Sequence, residues 1–313
     1  MQLAPVVLFV YNRPWHTSQT LESLAKNDLA DQSKLFIYSD GLKANADKSE
    51  SANVEEVRKI IRQKKWCKEV TIIESDFNKG LANSIVGGIT EIVDQFGKII
   101  VLEDDIVTSK GFLEFMNQGL ELYKNEERVM DITGYAFPVK NIQLPEIFFL
   151  EMASSWGWGT WNRSWSFFTA DTEWLYKELI EKKKWSSFLK IGHDNFRSQL
   201  MNNLEGKIHT WAIKWQAVMT LRNGLSLQPG KSLVRNIGFD GTGTNYTAND
   251  ETFQTDRLSD YLRMEKVSQN EIKEDESIME IYRSFLLNKG KTTEGNSKRF
   301  GLKRLLNLFK SRV

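Results

Sequence analysis

At 313 residues, with 41% hydrophobic and 12% aromatic content, the chain can build a large α/β domain or a main domain with an annex, and wholesale disorder is excluded. Forty-two Lys and Arg against 41 Asp and Glu leave a net charge of +1, so no global field draws the protein to nucleic acid. One cysteine, Cys67, excludes an internal disulfide framework and fits a reducing compartment, which makes the cytoplasm the expected location.

Short β-branched and aromatic runs at 5–11, 35–39, 70–74 and 98–102 are continuous in apolar character and predict parallel strands buried on both faces. Helical patterns lie between and after them, at 17–26, 53–64, 81–96 and 109–123. The second starts with the capping-box pair Asn53 and Glu56, followed by Val57, Ile60 and Ile61 at helical spacing, and Ser109 is the expected cap of the fourth. Strand and helix in alternation predict right-handed crossovers and a doubly wound, mostly parallel sheet flanked by helices. Two further strands are expected at 129–135 and 146–153, split by a loop holding Pro138 and Pro145.

The fourth run, IIVL at 99–102, ends on three consecutive acids, Glu103, Asp104 and Asp105. A buried strand that ends this way puts oxygen ligands at the carboxyl edge of the sheet, where open α/β folds bind their ligands. Hard oxygens there suit Mn2+ or Mg2+ holding a diphosphate. The alternative is a solvated acidic turn with Asp104 or Asp105 capping the next helix.

Eight of the ten tryptophans fall between 154 and 215, beginning with SSWGWGTWNRSW. Trp156, Gly157 and Trp158 combine flat rings with glycine, which favours a loop that packs against a sugar ring, with core packing as the alternative. Residues 171–204 look helical and largely solvated, with the EKKKW run in their middle as an exposed face. A polar linker at 288–297 leads to 298–313, with six basic residues, no acids and Leu302, Leu305, Leu306 and Phe309 on one helical face. That pattern predicts a helix lying on an anionic membrane surface, with docking back on the domain as the alternative. No segment approaches the roughly 20 apolar residues of a membrane span, and the amino terminus has no signal-peptide pattern.

The segment IIVLEDDIVTSKGFLEFM resembles the metal-binding strand and following helix of GT-A fold nucleotide-sugar glycosyltransferases, closest to the N-acetylglucosaminyltransferase I group and related bacterial sugar transferases. PVVLFVYNRP, LFIYSDG, DFNKGLANSI, SSWGWGTW and QPGKSLVRNIGFDGTGTN agree in order, over residues 4 to 246. The resemblance implies a donor half at 1–125, an acceptor half at 126–257 and a helical extension at 258–313. It implies that Asp105 binds the metal directly, with Asp104 nearer the ribose and the metal's waters, and Glu103 nearer the donor sugar or behind the direct ligands. Arg13, Asp40, Asn78, Lys79, Gly80 and Asn83 would line the nucleotide, and Trp156, Gly157 and Trp158 would face the sugars. The implied activity is transfer from a nucleotide-diphosphate sugar, UDP-sugar favoured, to a glycan or lipid-linked acceptor in bacterial surface polysaccharide synthesis.

Two departures stand out. Where the family carries an aspartate beside a tryptophan as catalytic base, this chain reads HTWAIKW without a carboxylate, leaving Asp194, His209 or Asp240 for the role. Where relatives carry a histidine after GTGT, this chain has Asn245. A non-catalytic carbohydrate-binding protein and, less favoured, a sugar nucleotidyltransferase remain as alternatives; the latter needs a glycine-rich phosphate loop that VYNRPWHTS lacks.

Overall fold

The computed structural model describes residues 2–190, 192–242, 251–255, 258–265 and 267–288; the expected membrane-surface helix at 298–313 and Asn245 lie outside these. Four parallel strands, β1 (Val6–Val10), β2 (Lys34–Ser39), β3 (Glu69–Glu74) and β4 (Lys98–Glu103), are joined through α1 (Pro14–Ala25), α2 (Lys48–Ile60) and α3 (Leu81–Phe96). The chain continues through β5 (Ile106–Thr108), α4 (Phe112–Leu122), β6 (Val129–Thr133), β7 (Ile147–Leu150) and β8 (Trp158–Trp161). Then come α5 (Asn162–Trp165), α6 (Thr172–Glu181), α7 (Trp185–Phe188), α8 (His193–Leu204), α9 (Ala212–Arg222), β9 (Leu225–Pro229), β10 (Val234–Asn236) and α10 (Glu276–Asn288).

The main sheet has the order β3-β2-β1-β4-β8-β6-β9-β7, with β8 and β7 running against the rest, and β5 pairs with β10 in a small second sheet. The expected α/β architecture is therefore present. β4 shows why its apolar run is continuous. Ile100 and Leu102 pack with Phe112 and Met116 of α4, while Ile99 and Val101 face Ile85, Ile89 and Ile92 of α3. With helices on both faces, neither side of the strand can be polar.

Several expectations need correction. β3 is an edge strand with half-exposed residues, so it is not buried on both faces. α2 starts five residues before Asn53, because Asp47 Oδ1 accepts the Glu50 backbone N–H at 2.7 Å and caps it there. Ser109 does not cap α4; its backbone N–H goes to the Leu233 carbonyl, and the helix opens after Gly111. The helical texture expected at 171–204 is present, as the three helices α6, α7 and α8, broken first where Lys183 takes the left-handed conformation at φ 56°.

The Gly-Trp segment is not a loop throughout. Residues 158–161 form β8, wedged between β4 and β6, with Gly159 leaving room for the Ile99 carbonyl 2.7 Å from where a Cβ would stand. Trp158 is 1% exposed and stacks on Trp211 with ring centroids 5.2 Å apart, beside Trp165 and Trp215. Its ring belongs to the core and cannot face a sugar.

Candidate functional site

From β1 the chain steps outward to β2 and β3, then returns to lay β4 on the other side of β1. The crevice between β1 and β4 at their carboxyl ends is thus the topological switch point, where open α/β sheets leave room for a ligand. Tyr11, Asn12 and Arg13 leave β1 on one side of it, and Glu103, Asp104 and Asp105 leave β4 on the other.

Arg13 spans the crevice. Its Nε donates to Asp104 Oδ2 at 3.2 Å, and its Nη2 donates both to Asp104 Oδ1 and, at 2.8 Å, to Asp105 Oδ2. The Thr20 hydroxyl holds the Asp104 carbonyl at 2.7 Å from α1. Burial followed by Asp105 and Asp104 pushes the Glu103 carboxyl up, and burial pushes Asp104 up against the pull of Arg13. Burial opposes the Arg13 charge, yet Asp104 and Asp105 outweigh it and hold the guanidinium above its ordinary value. With Glu103 pushed toward its neutral form, Asp104 and Asp105 together still face a single arginine and leave the crevice short of positive charge.

That arrangement fits a divalent cation in part. Two carboxylates already converge on one cationic nitrogen, and their oxygens are the hard donors that Mg2+ and Mn2+ take. Among the described residues no three His, Cys, Asp or Glu side chains converge as a metal-binding group, so the protein would supply one or two ligands and leave the rest to phosphate and water.

Asp40 stands at the end of β2 and is nearly buried. Its Oδ1 accepts the backbone N–H groups of Gly41 at 2.9 Å and Lys79 at 2.8 Å, and its Oδ2 accepts that of Gly80 at 3.0 Å. Asn78 donates to the Gly41 carbonyl at 2.9 Å, and Asn83 donates to the Lys79 carbonyl at 2.9 Å. Gly80, at φ 76°, then turns the chain into α3. Asp40, Asn78, Lys79, Gly80 and Asn83 are thus brought together as one folded loop, beside a cleft of about 160 Å³ that Tyr38, Ser75, Lys79 and Asn83 help to line.

The segment after β10 closes the other side. Ile237 donates its N–H to the Asp105 carbonyl at 2.8 Å, and Gly238 lies against the Asp105 carboxylate and Arg13. Asp240 Oδ2 comes within 3.1 Å of His16 Nε2, and Asp240 Oδ1 accepts the N–H and hydroxyl of Thr242 at 3.0 and 2.7 Å. Burial, then the Arg13 charge, lowers the His16 imidazole below its ordinary value. Asp194, at the start of α8, and His209, between α8 and α9, are both exposed.

Because β8 runs against β4 with Val101 opposite Trp158, its entry point lies at the carboxyl edge. Continuing that register places Trp156 level with Glu103. Trp156 is half-buried and meets Tyr135, Phe239 and Phe253 edge-on at 4.4, 5.6 and 6.0 Å. Gly157, at φ 60°, sits under Val234 and Phe112.

His16, Thr20 and Gly238 were missed by sequence reasoning. His16 and Thr20 follow Arg13 by one and two helical turns on α1, a spacing that could have found them once Arg13 was suspected. Gly238 carries no such signal, since only the chain's return past Asp105 gives it a role.

No family model matches the chain, and no curated protein matches it. Among solved structures, 50% of it is similar to a mannosyltransferase from Pyrobaculum calidifontis in complex with GDP-Man and Mn2+, at 12% identity, 44% of that chain and a TM-score of 0.34. TarS of S. aureus is similar over 96% of this chain and 46% of its own, at 12% identity and 0.36. A UDP-glucose pyrophosphorylase complexed with UDP-glucose is similar over 72% of this chain and 90% of its own, at 10% identity and 0.34. The chain spans less than half the length of the first two. At these TM-scores the likenesses carry no argument about activity, which rests on the crevice itself.

Proposed function

We propose that the chain is a GT-A type glycosyltransferase that takes a sugar from a nucleotide-diphosphate sugar, UDP-sugar favoured, and passes it to a glycan or lipid-linked acceptor. The observation that carries this reading is the meeting of Arg13 with Asp104 and Asp105 at the β1–β4 switch point, beside the loop that Asp40 folds. An arginine fork suits phosphate oxygens, and strand-end carboxylates suit a cation that travels with them.

In this reading Asp105 and Asp104 hold Mn2+ or Mg2+, which when bound neutralises the departing diphosphate. Arg13 pairs with phosphate oxygens. Asp40 orders the 78–80 backbone beneath the nucleotide, and Gly238 brings the closing segment down on the donor. Trp156, level with Glu103, offers a ring face at the sugar end. Of the three carboxylate or imidazole candidates for acceptor activation, Asp240 is favoured, because it stands in the segment that covers the acids. Residues 1–125 serve the donor, 126–257 the acceptor, and 258–313 extend the domain. Among the described residues no helix is long and apolar enough to cross a membrane. In this reading the protein works on a surface polysaccharide at the inner membrane face, with the basic tail at 298–313 as a surface contact.

A hydrolysis assay tests the assignment. With Mn2+ and a panel of intact nucleotide sugars, slow release of one nucleoside diphosphate is expected, and Asp105→Asn should abolish it. Sugar binding without any turnover would favour a carbohydrate-binding protein instead.

A further inference from the structure

Arg13 Nη2 sits between Asp104 Oδ1 and Asp105 Oδ2, the point from which a cation would bridge the two acids. The guanidinium side chain is only 16% exposed. Pulled from its carboxylates without a new anion, it would be a nearly buried, unpaired charge, which folded proteins tolerate poorly. The closing segment narrows the approach to Asp105 Oδ2 from the other side. The Gly238 backbone already lies so close that a single added methyl carbon would collide with that oxygen and reach within 3.0 Å of Arg13 Nη1.

A free divalent ion and a diphosphate-bound one therefore face different sites. A free ion that bridges the two acids must displace Arg13 and leave it without a partner. A cation arriving with a diphosphate brings phosphate oxygens, to which the arginine fork can turn as the metal takes over the acids. We propose that Arg13 and the divalent cation are rival partners of Asp104 and Asp105, so that the site admits the cation only together with a nucleoside diphosphate that draws Arg13 away. This rests on the donor reading of the crevice. By linkage, the cation and the diphosphate must then raise each other's affinity by one common factor.

Mn2+ binding to the full chain, counted by electron paramagnetic resonance of the free ion, tests the rivalry without any turnover. The titration is run alone and with UDP, GDP, ADP, CDP or TDP at saturation. Wild type should bind Mn2+ at least about tenfold more tightly with the preferred diphosphate than without it. Arg13→Gln should bind Mn2+ alone at least about tenfold more tightly than wild type, and lose most of the dependence on nucleotide. Arg13→Lys, which keeps the charge but not the fork, should fall between, and it serves if the glutamine variant does not fold. Equal Mn2+ affinity with and without nucleotide, or a glutamine variant no tighter than wild type, would overturn the proposal while leaving the donor reading intact. So would nucleotide binding that Mn2+ does not affect. If none of the five diphosphates binds with or without Mn2+, the donor reading itself fails.

Discussion

Ile237 donates its backbone N–H to the Asp105 carbonyl at 2.8 Å, and that one bond seats the next residue, Gly238, against the Asp105 carboxylate. No side chain fits between them. Gly238→Ala should therefore push the closing segment off the acids, at a cost of about 1–3 kcal/mol for an overpacked contact. The expected outcome is a modest drop in Tm and a larger loss of nucleoside diphosphate affinity by calorimetry. A wild-type affinity in this variant would show that the segment does not touch the donor.

Asp40 accepts three backbone N–H groups from two separate loops, so its carboxylate holds the 78–80 turn in place. Asp40→Asn keeps one acceptor oxygen but aims an NH2 group at a backbone donor, and about 1–3 kcal/mol of stability should be lost. Denaturant unfolding would show that loss, and donor KM should rise more than kcat falls. A change in kcat alone would mean that Asp40 meets the reacting atoms directly.

Asp131 lies within the sheet with no exposed surface, and its Oδ2 accepts the Trp215 indole N–H at 2.9 Å. Burial pushes its carboxyl up to about 7 from an unfolded value of 3.8. Because the folded pKa is the higher one, the stability linked to this proton is fully present below about pH 4 and is lost as pH rises through about 7. Asp131→Asn cannot charge. It should come closest to wild type in urea unfolding below about pH 4 and exceed it by a margin that grows to a few kcal/mol at pH 8. Equal pH dependence in the two proteins would refute the linkage.

His16 and Asp240 connect α1 to the closing segment at 3.1 Å. His16→Ala should free that segment, so the expected signature is a donor KM raised several-fold with a smaller change in kcat. Asp240→Asn separates two roles: if Asp240 activates the acceptor, kcat falls by about 10²–10⁴-fold while donor affinity stays near wild type. If it only anchors the segment, Asp240→Asn reproduces the His16→Ala pattern.

The first 125 residues were legible because their strands carry apolar runs and their helices a 3.6-residue period, so β1 to β4 and α3 were found nearly to the residue. The three acids after β4 stood out for the same reason, as charges abutting an apolar run. Asp47 gives no visible cap signal because the four polar residues after it, Lys48 to Ser51, carry no apolar period. β5 and β10 are three residues each, too short for a period, and they exist because they pair with each other across more than a hundred residues. The pairing of Arg13 with Asp104, 91 residues away, comes from the order in which the strands are laid down, which no local pattern encodes.

Trp156 and Trp158 are two residues apart and looked equivalent as sequence, yet β8 begins between them. Trp158 points into the core among Trp165, Trp211 and Trp215, and Trp156 stands outside the pairing with β4. Trp158→Ala should cost about 3–5 kcal/mol, through the cavity it leaves. Trp156→Ala removes a half-buried ring in place of a fully buried one, so less stability should be lost, while acceptor KM should rise with donor affinity unchanged. Unfolding curves set beside acceptor-dependent kinetics separate the two. If Trp156→Ala unfolds as easily as Trp158→Ala and leaves acceptor KM alone, both rings are packing and the sugar contact must be sought elsewhere along the crevice.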